Sequence, residues 1–265
     1  MQKMAESGWL RDQESLSYYH PAEHLFKDAP ERMEGGAKIE EIMALMDEVG
    51  VEKGLVRIDA ESPEKTIQSI LPHTDRFFAE VNVNPLRGMD AVRQMERLVR
   101  GYPGLIRGAS VAGFQIQKPY NDKIYYPVYA KCVELDIPII AHVGIPGPRV
   151  PGECQNPMHL DEVCWFFPDL KVVMCHGGEP WEFLCVKLML KWPNLFYSTS
   201  AFTPRHYPKA ILEYANTRGT ERVLYAGYYP ALDLRRVKKE VEQLPLRDHV
   251  WPLFLRENAR RVFKL

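Results

Sequence analysis

Seven short apolar runs, each followed by a segment of helical periodicity, constrain this chain more than any other feature. The sharpest unit is Lys171 to Ala201, KVVMCHGGEPWEFLCVKLMLKWPNLFYSTSA. Val172 to Cys175 is apolar throughout and stops at His176-Gly177-Gly178, the pattern of a strand covered on both faces. Glu179-Pro180 reads as a helix start, since proline is tolerated in the first turn and the dipole favours an acid there. Phe183, Leu184, Lys187, Leu188 and Leu190 are predicted to carry the apolar stripe, and Trp192-Pro193-Asn194 to end the helix before a strand from Leu195 to Ala201. A histidine thus stands where strand meets helix, the end at which chemistry sits in parallel α/β folds.

The same alternation runs through most of the chain. Strands are predicted at Gly54 to Asp59, Phe77 to Asn84, Leu105 to Gly113, Pro138 to Gly144 and Arg222 to Tyr229, in addition to the two above. Helices are predicted at Lys38 to Val49, from Ser62-Pro63 to Leu71, at Met89 to Arg100, from Asn121 or Asp122 to Leu135, and at His159 to Phe167. Further helices follow at Tyr207 to Arg218, Leu232 to Gln243 and Asp248 to Phe263. Strict alternation implies a parallel sheet with right-handed crossovers. A (β/α)₈ barrel needs eight strands in about 250 residues. The missing strand falls at the front, where residues 1–37 are polar and aromatic with no strand pattern and at most a short helix around Pro21 to Phe26. The expected fold is therefore α/β, one domain over residues 1–265: a distorted TIM-like barrel whose first strand is absent or replaced by an irregular N-terminal segment. A further reading makes Met1 an internal start.

Composition narrows the partners. An apolar fraction of 46% with five tryptophans fills one large core. A net charge of −1 gives no electrostatic case for nucleic acid or an anionic membrane. No apolar run approaches the roughly 20 residues a membrane helix needs, and the N-terminus lacks the apolar core of a signal peptide. Five cysteines without CxxC spacing read as small buried hydrophobes in a reducing cytoplasm.

The order of elements, with PIIAHVG, FPDLKVVMCHGGEPW, KWPNLFYSTSA, ANTRGTERVLYAGYYP and the closing ENARRVFKL, resembles the amidohydrolase-related family that includes aminocarboxymuconate-semialdehyde decarboxylase. The resemblance covers about Lys38 to Leu265. It implies a barrel that holds one divalent metal, usually zinc, on an H-x-H pair from the first strand, a fifth-strand histidine and an aspartate after the eighth strand. His142 matches the fifth-strand ligand, and His176 matches a sixth-strand histidine that commonly serves in catalysis. No H-x-H occurs in this chain, and His20 and His24 are spaced as on a helix. The family string GSDYP is replaced by Ala226-Gly227-Tyr228-Tyr229-Pro230, so Tyr228 occupies the aspartate's position. The resemblance thus implies a metal at His142 and His176 that is weakly bound or absent.

Residue chemistry gives each candidate two readings. Strand ends place His142 and His176 on neighbouring parallel strands, about 4.8 Å apart. Together they can hold a metal, a water or a substrate proton, with His176 titrating near neutrality, or be core histidines bonded to carbonyls. Tyr228 is a phenol donor or an aromatic plug, and a poor zinc ligand in either case. Arg57 is suited to clamp a carboxylate through its guanidinium fork, or to pair structurally with Asp59 or Glu80. Alternation places Arg57 with Asp59, Glu80 with Asn82 and Asn84, and Ser198 with Ser200 on common faces. Asn82, Ser110 and Ser200 are candidate substrate contacts at the mouth, with Trp181 on its rim. Asp59 and Asn84 read more strongly as turn caps. Gly177-Gly178 serve a tight turn, Arg149 lies in the long Pro/Gly loop as a gate or a solvated side chain, and His206 and His249 are expected at the surface.

The function expected is a cytoplasmic hydrolase or non-oxidative decarboxylase. It would act on a small carboxylated, cyclic or aromatic substrate through His176, Tyr228 and Arg57, with weak metal or none. The competing reading is a metal-free, non-catalytic barrel that binds a small molecule or a partner subunit. A homodimer is expected, because a barrel lacking its first strand leaves two unpaired edges.

Overall fold

The computed structural model describes residues 10–17, 22–26 and 38–265. Seven strands form one sheet in the order of the sequence, with every neighbouring pair parallel. They are β1 (Gly54–Asp59), β2 (Phe77–Asn82), β3 (Ile106–Val111), β4 (Ile139–His142), β5 (Val172–Cys175), β6 (Leu195–Ser198) and β7 (Val223–Leu224). The sheet is a TIM-like barrel left open, with β1 and β7 unpaired to each other among the described residues. The expected first regular strand, Gly54–Asp59, is β1. His20 and part of the helix suggested around Pro21 lie outside the described residues.

Alternation sorts the side chains into two layers. Ile58, Ala79, Val81, Ala109, Val111, Ile139, Ala141, Val172, Met174 and Tyr197 face outward and pack under the helices. Phe78, Ile140, Val173, Phe196 and Leu224 face inward and meet Val262 and Phe263 of the C-terminal helix, Asn258–Phe263. Phe263 packs against Phe78 at a tilt, with ring centroids 5.3 Å apart. Its ring would also lie 3.4 Å from a Cβ on Gly108. The chain's end thus closes the N-terminal floor of the barrel and leaves the C-terminal mouth for polar groups. All five cysteines are free and buried, as expected.

Local chemistry corrects several boundaries. The helix after β5 spans Glu182–Lys191, later than the Glu179-Pro180 start. Glu179 is held outside it by the bond from the Ile145 amide to its carbonyl, at 2.7 Å. That helix buries Cys185, Leu188 and Met189, while Phe183 is 77% and Leu190 43% exposed, so the predicted stripe was rotated. β7 is two residues long rather than Arg222 to Tyr229, because the Tyr225 amide turns to the Phe254 carbonyl and the Ala226 amide to Thr199 Oγ1. Ser62 bonds Asp59 Oδ2 instead of capping the helix Glu64–Ile70.

Candidate active site

The mouth is built by one abrupt turn. After β5 the chain takes three successive left-handed residues, His176 (φ 69), Gly177 (φ 86) and Gly178 (φ 79). A non-glycine residue there is strained. A Cβ on Gly177 would meet the Phe202 ring at 2.3 Å, and one on Gly144 would meet Gly178 and Glu179 backbone at 2.9 Å. The β4 and β5 loops therefore touch backbone to backbone, which brings His142 and His176 to ring centroids 4.2 Å apart. Tyr120, fully buried, donates its hydroxyl to the His142 carbonyl and accepts from the Gly113 amide at 3.1 Å, fixing the end of β4.

Arg57 reaches across from β1. Its Nε donates to Glu80 Oε1 at 2.8 Å, and its Nη2 lies 2.8 Å from His142 Nε2. A guanidinium can only donate. His142 Nε2 is therefore the acceptor, and its proton sits on Nδ1. Tyr228 stands edge-on to His176, with ring centroids 5.3 Å apart, and on its other side meets Phe26 at 5.6 Å. Arg57, Glu80, Cys175, His176, Ser198, Ser200 and Tyr228 line one cavity of about 1900 Å³ that opens along the seam between β1 and β7.

Electrostatics follow from this packing. Burial, then His176 and Arg57, hold His142 well below the ordinary histidine range. Burial and the nearby Arg57 push His176 down to about 3, so it is a neutral imidazole at physiological pH and does not titrate near neutrality as expected. Burial opposes the charge on Arg57, but the Glu80 carboxylate more than offsets this and holds Arg57 above its ordinary value. Burial, opposed by Arg57, raises the Tyr228 phenol, which stays protonated. Burial and Glu80 also keep the Cys175 thiol protonated.

Of the residues singled out in the sequence, His176, Tyr228, Arg57 and Ser200 meet in the cavity. His142 stands behind Arg57 and His176. Asn82 and Ser110 face inward on β2 and β3, 3.5 Å apart, outside the cavity lining. Trp181 precedes its helix and does not line the cavity. Asp59 and Asn84 cap turns, accepting from the Glu61 and Leu86 amides. Arg149 is exposed in its loop, where it pairs with Asp12 and Glu14 at 3.0 Å. His206 and His249 are exposed. Sequence reasoning underweighted Glu80 and missed Tyr120. An acid in the middle of FFAEVNVN was the available signal for the first. Among the described residues, His142, Cys175 and His176 offer donor atoms within 4.8 Å of one another.

A family profile described as amidohydrolase matches residues 34–265. The chain belongs to the amidohydrolase family. A 2-keto-4-carboxy-3-hexenedioate hydratase of Sphingobium sp. is 25% identical over 217 residues, which span 65% of this chain and 60% of that relative's length. An uncharacterized TIM-barrel protein from Bordetella bronchiseptica superposes with a TM-score of 0.72 at 24% identity, covering 85% of this chain and 82% of the other. A 5-carboxyvanillate decarboxylase from Novosphingobium aromaticivorans, solved with manganese and 4-hydroxy-3-methoxy-5-nitrobenzoic acid, gives 0.73 at 18% identity over 100% and 91% of the two chains. These likenesses establish the TIM-barrel fold for this amidohydrolase. No helix among the described residues is long and apolar enough to cross a membrane.

Proposed function

We propose that this amidohydrolase is a hydrolase or non-oxidative decarboxylase of a small carboxylated cyclic or aromatic substrate, working with weak metal or none. The observation that carries the reading is Arg57, a cation on the inner wall with His176 and Tyr228 on the same cavity. Two of its five N–H groups are used by Glu80 and His142, and the others can hold a carboxylate. The relatives handle carboxylated small molecules, which supports the substrate class.

The residues present do not fit a tightly held divalent ion. Arg57 takes the His142 lone pair that a metal needs and places a fixed positive charge beside it. Cys175 keeps its proton, and a metal binds the thiolate. His176 and a phenol fall short of the three or four protein ligands usual for zinc. Catalysis then rests on the side chains. Arg57 holds and orients the carboxylate through its free N–H groups. Tyr228 donates its hydroxyl proton to a hydrogen bond on the reacting oxygen. His176, neutral, accepts a hydrogen bond from water or a substrate hydroxyl and orients it towards the reacting carbon.

The test begins with a thermal-shift screen of small aromatic and dienoic acids, followed by turnover of the acids that bind. His176→Ala is expected to abolish turnover with the fold intact, and Tyr228→Phe to lower kcat by about 10- to 100-fold. A true substrate turned over at wild-type rate by both variants would show that this mouth is not the active site. Specific carboxylate binding without turnover of any bound acid would favour the non-catalytic binder. The reading includes a homodimer joined through the open edges of β1 and β7; light scattering that gives the 30.7 kDa monomer removes that part.

A further inference from the structure

Glu80 is the most confined charge in the barrel and is only half answered. It is 3% exposed, in the middle of β2. Arg57 Nε satisfies Oε1, while Oε2 is buried with no hydrogen-bond partner among the described residues. Buried carboxylate oxygens without a donor are rare in native proteins, and each asks for a reason. The usual arginine-carboxylate pair is a two-pronged fork that satisfies both oxygens. Here the second prong is diverted, because Arg57 Nη2 goes to His142 Nε2 at 2.8 Å. Glu80 and Arg57 both line the cavity, so the orphaned acceptor and the remaining donors of the guanidinium belong to side chains of one wall.

A wall with an acceptor next to donors is complementary to a ligand with a donor next to acceptors. We infer that Glu80 is a specificity-determining residue: its Oε2 accepts a hydrogen bond from a hydroxyl that flanks the carboxylate held by Arg57. This rests on Arg57 as the carboxylate clamp proposed above. It adds a requirement that the clamp alone does not impose, since a bare carboxylate leaves Oε2 unanswered. A buried polar group that goes unpaired with the wrong ligand is also the strongest source of discrimination a site has.

The test is a calorimetric titration of the purified chain with benzoate, 2-hydroxybenzoate and 2-methoxybenzoate. The wild-type protein is expected to bind the hydroxy acid at least about tenfold more tightly than its methyl ether, which cannot donate. In Glu80→Gln the amide oxygen still receives Arg57 Nε, and the amide nitrogen turns the unpartnered acceptor into a donor. The hydroxy-to-methoxy ratio should then fall to near one or invert, whatever the change in benzoate affinity. A wild-type ratio near one, with both acids bound, overturns the inference, and so does a Glu80→Gln variant that keeps the wild-type ratio. If Glu80→Gln does not fold, the wild-type ratio decides alone. Benzoate binding that is lost in Arg57→Leu while the ratio stays flat leaves the clamp standing and removes only the role of Glu80. If no acid binds, or Arg57→Leu binds benzoate as the wild type does, the clamp fails and the inference fails with it.

Discussion

The two halves of the barrel's inner surface behave differently. From β2 to β6 the inward apolar side chains and Cys175 are covered: Phe78, Ile140, Val173, Cys175 and Phe196 are all 7% exposed or less. On β1, Leu55 is 42% exposed, as is the side chain of Arg57, although both lie on the same inner face. The strand sequences do not explain this, since GLVRID alternates as well as any other. The difference is what stands beside each strand. A strand with neighbours on both sides has its inner face roofed by the curvature of the sheet, whereas β1 borders the unclosed seam. Closure, more than composition, leaves one half covered and the other half open to solvent.

Phe263→Ala should have the largest effect on stability. It removes the floor of the closed half and should cost about 3–5 kcal/mol in urea unfolding. An effect below about 1 kcal/mol would mean that the floor is not packed as described. Arg57→Leu tests the wall. It leaves the Glu80 carboxylate buried without its cation, and should cost about 3 kcal/mol, the low end for a broken buried pair because Arg57 faces the cavity. Glu80→Gln combined with Arg57→Leu should recover part of that loss; full additivity would show that the two do not interact.

The histidine pair separates the halves by pH. Both His142 and His176 are held below the ordinary histidine range, so the folded chain refuses protons that the unfolded chain accepts below about pH 6.5. Their neutral state is therefore fully compatible with folding above about pH 7, and stability falls as pH drops from there toward 4. The slope approaches about 1.4 kcal/mol per unit for each histidine. Urea midpoints between pH 7.5 and 4.5 should fall less steeply in His176→Gln than in the wild type. Parallel curves would place His176 in water. The smallest effect belongs to the open side: Leu55→Ala should cost less than about 1 kcal/mol, since its side chain is already half in solvent.

Most of the fold was legible because its signals are local. Apolar runs ending in glycine, and a period of two or of 3.6, are set by each segment's own burial. Gly54–Asp59 was read to the residue for that reason. The site was legible only as a set of residues. That His142, His176, Arg57 and Tyr228 converge follows from parallel register, which the alternation implies. Which partner Arg57 chooses depends on a distance across the barrel that no sequence spacing encodes. The protonation of His176 was misread for the same reason: the effect of burial on an imidazole depends on neighbours contributed by other strands. The helix after β5 was rotated because Cys185, left out of the predicted stripe, is what packs inward, while Phe183 points out.

Arg57 also determines what the environment can do to this cavity. A metal ion is borrowed from the cell. It can be scarce, exchanged for a competitor or stripped by a chelator, and while bound it can shed one ligand and gain another as a reaction proceeds. A guanidinium is made with the chain. It arrives in fixed stoichiometry, cannot be exchanged, and keeps its charge at any pH a cell reaches. Its plane is also fixed by Glu80 and His142, so its remaining N–H groups point in a small number of set directions. Carbonyls and carboxylates that approach within that plane are met by its N–H groups, and those that approach across it are not.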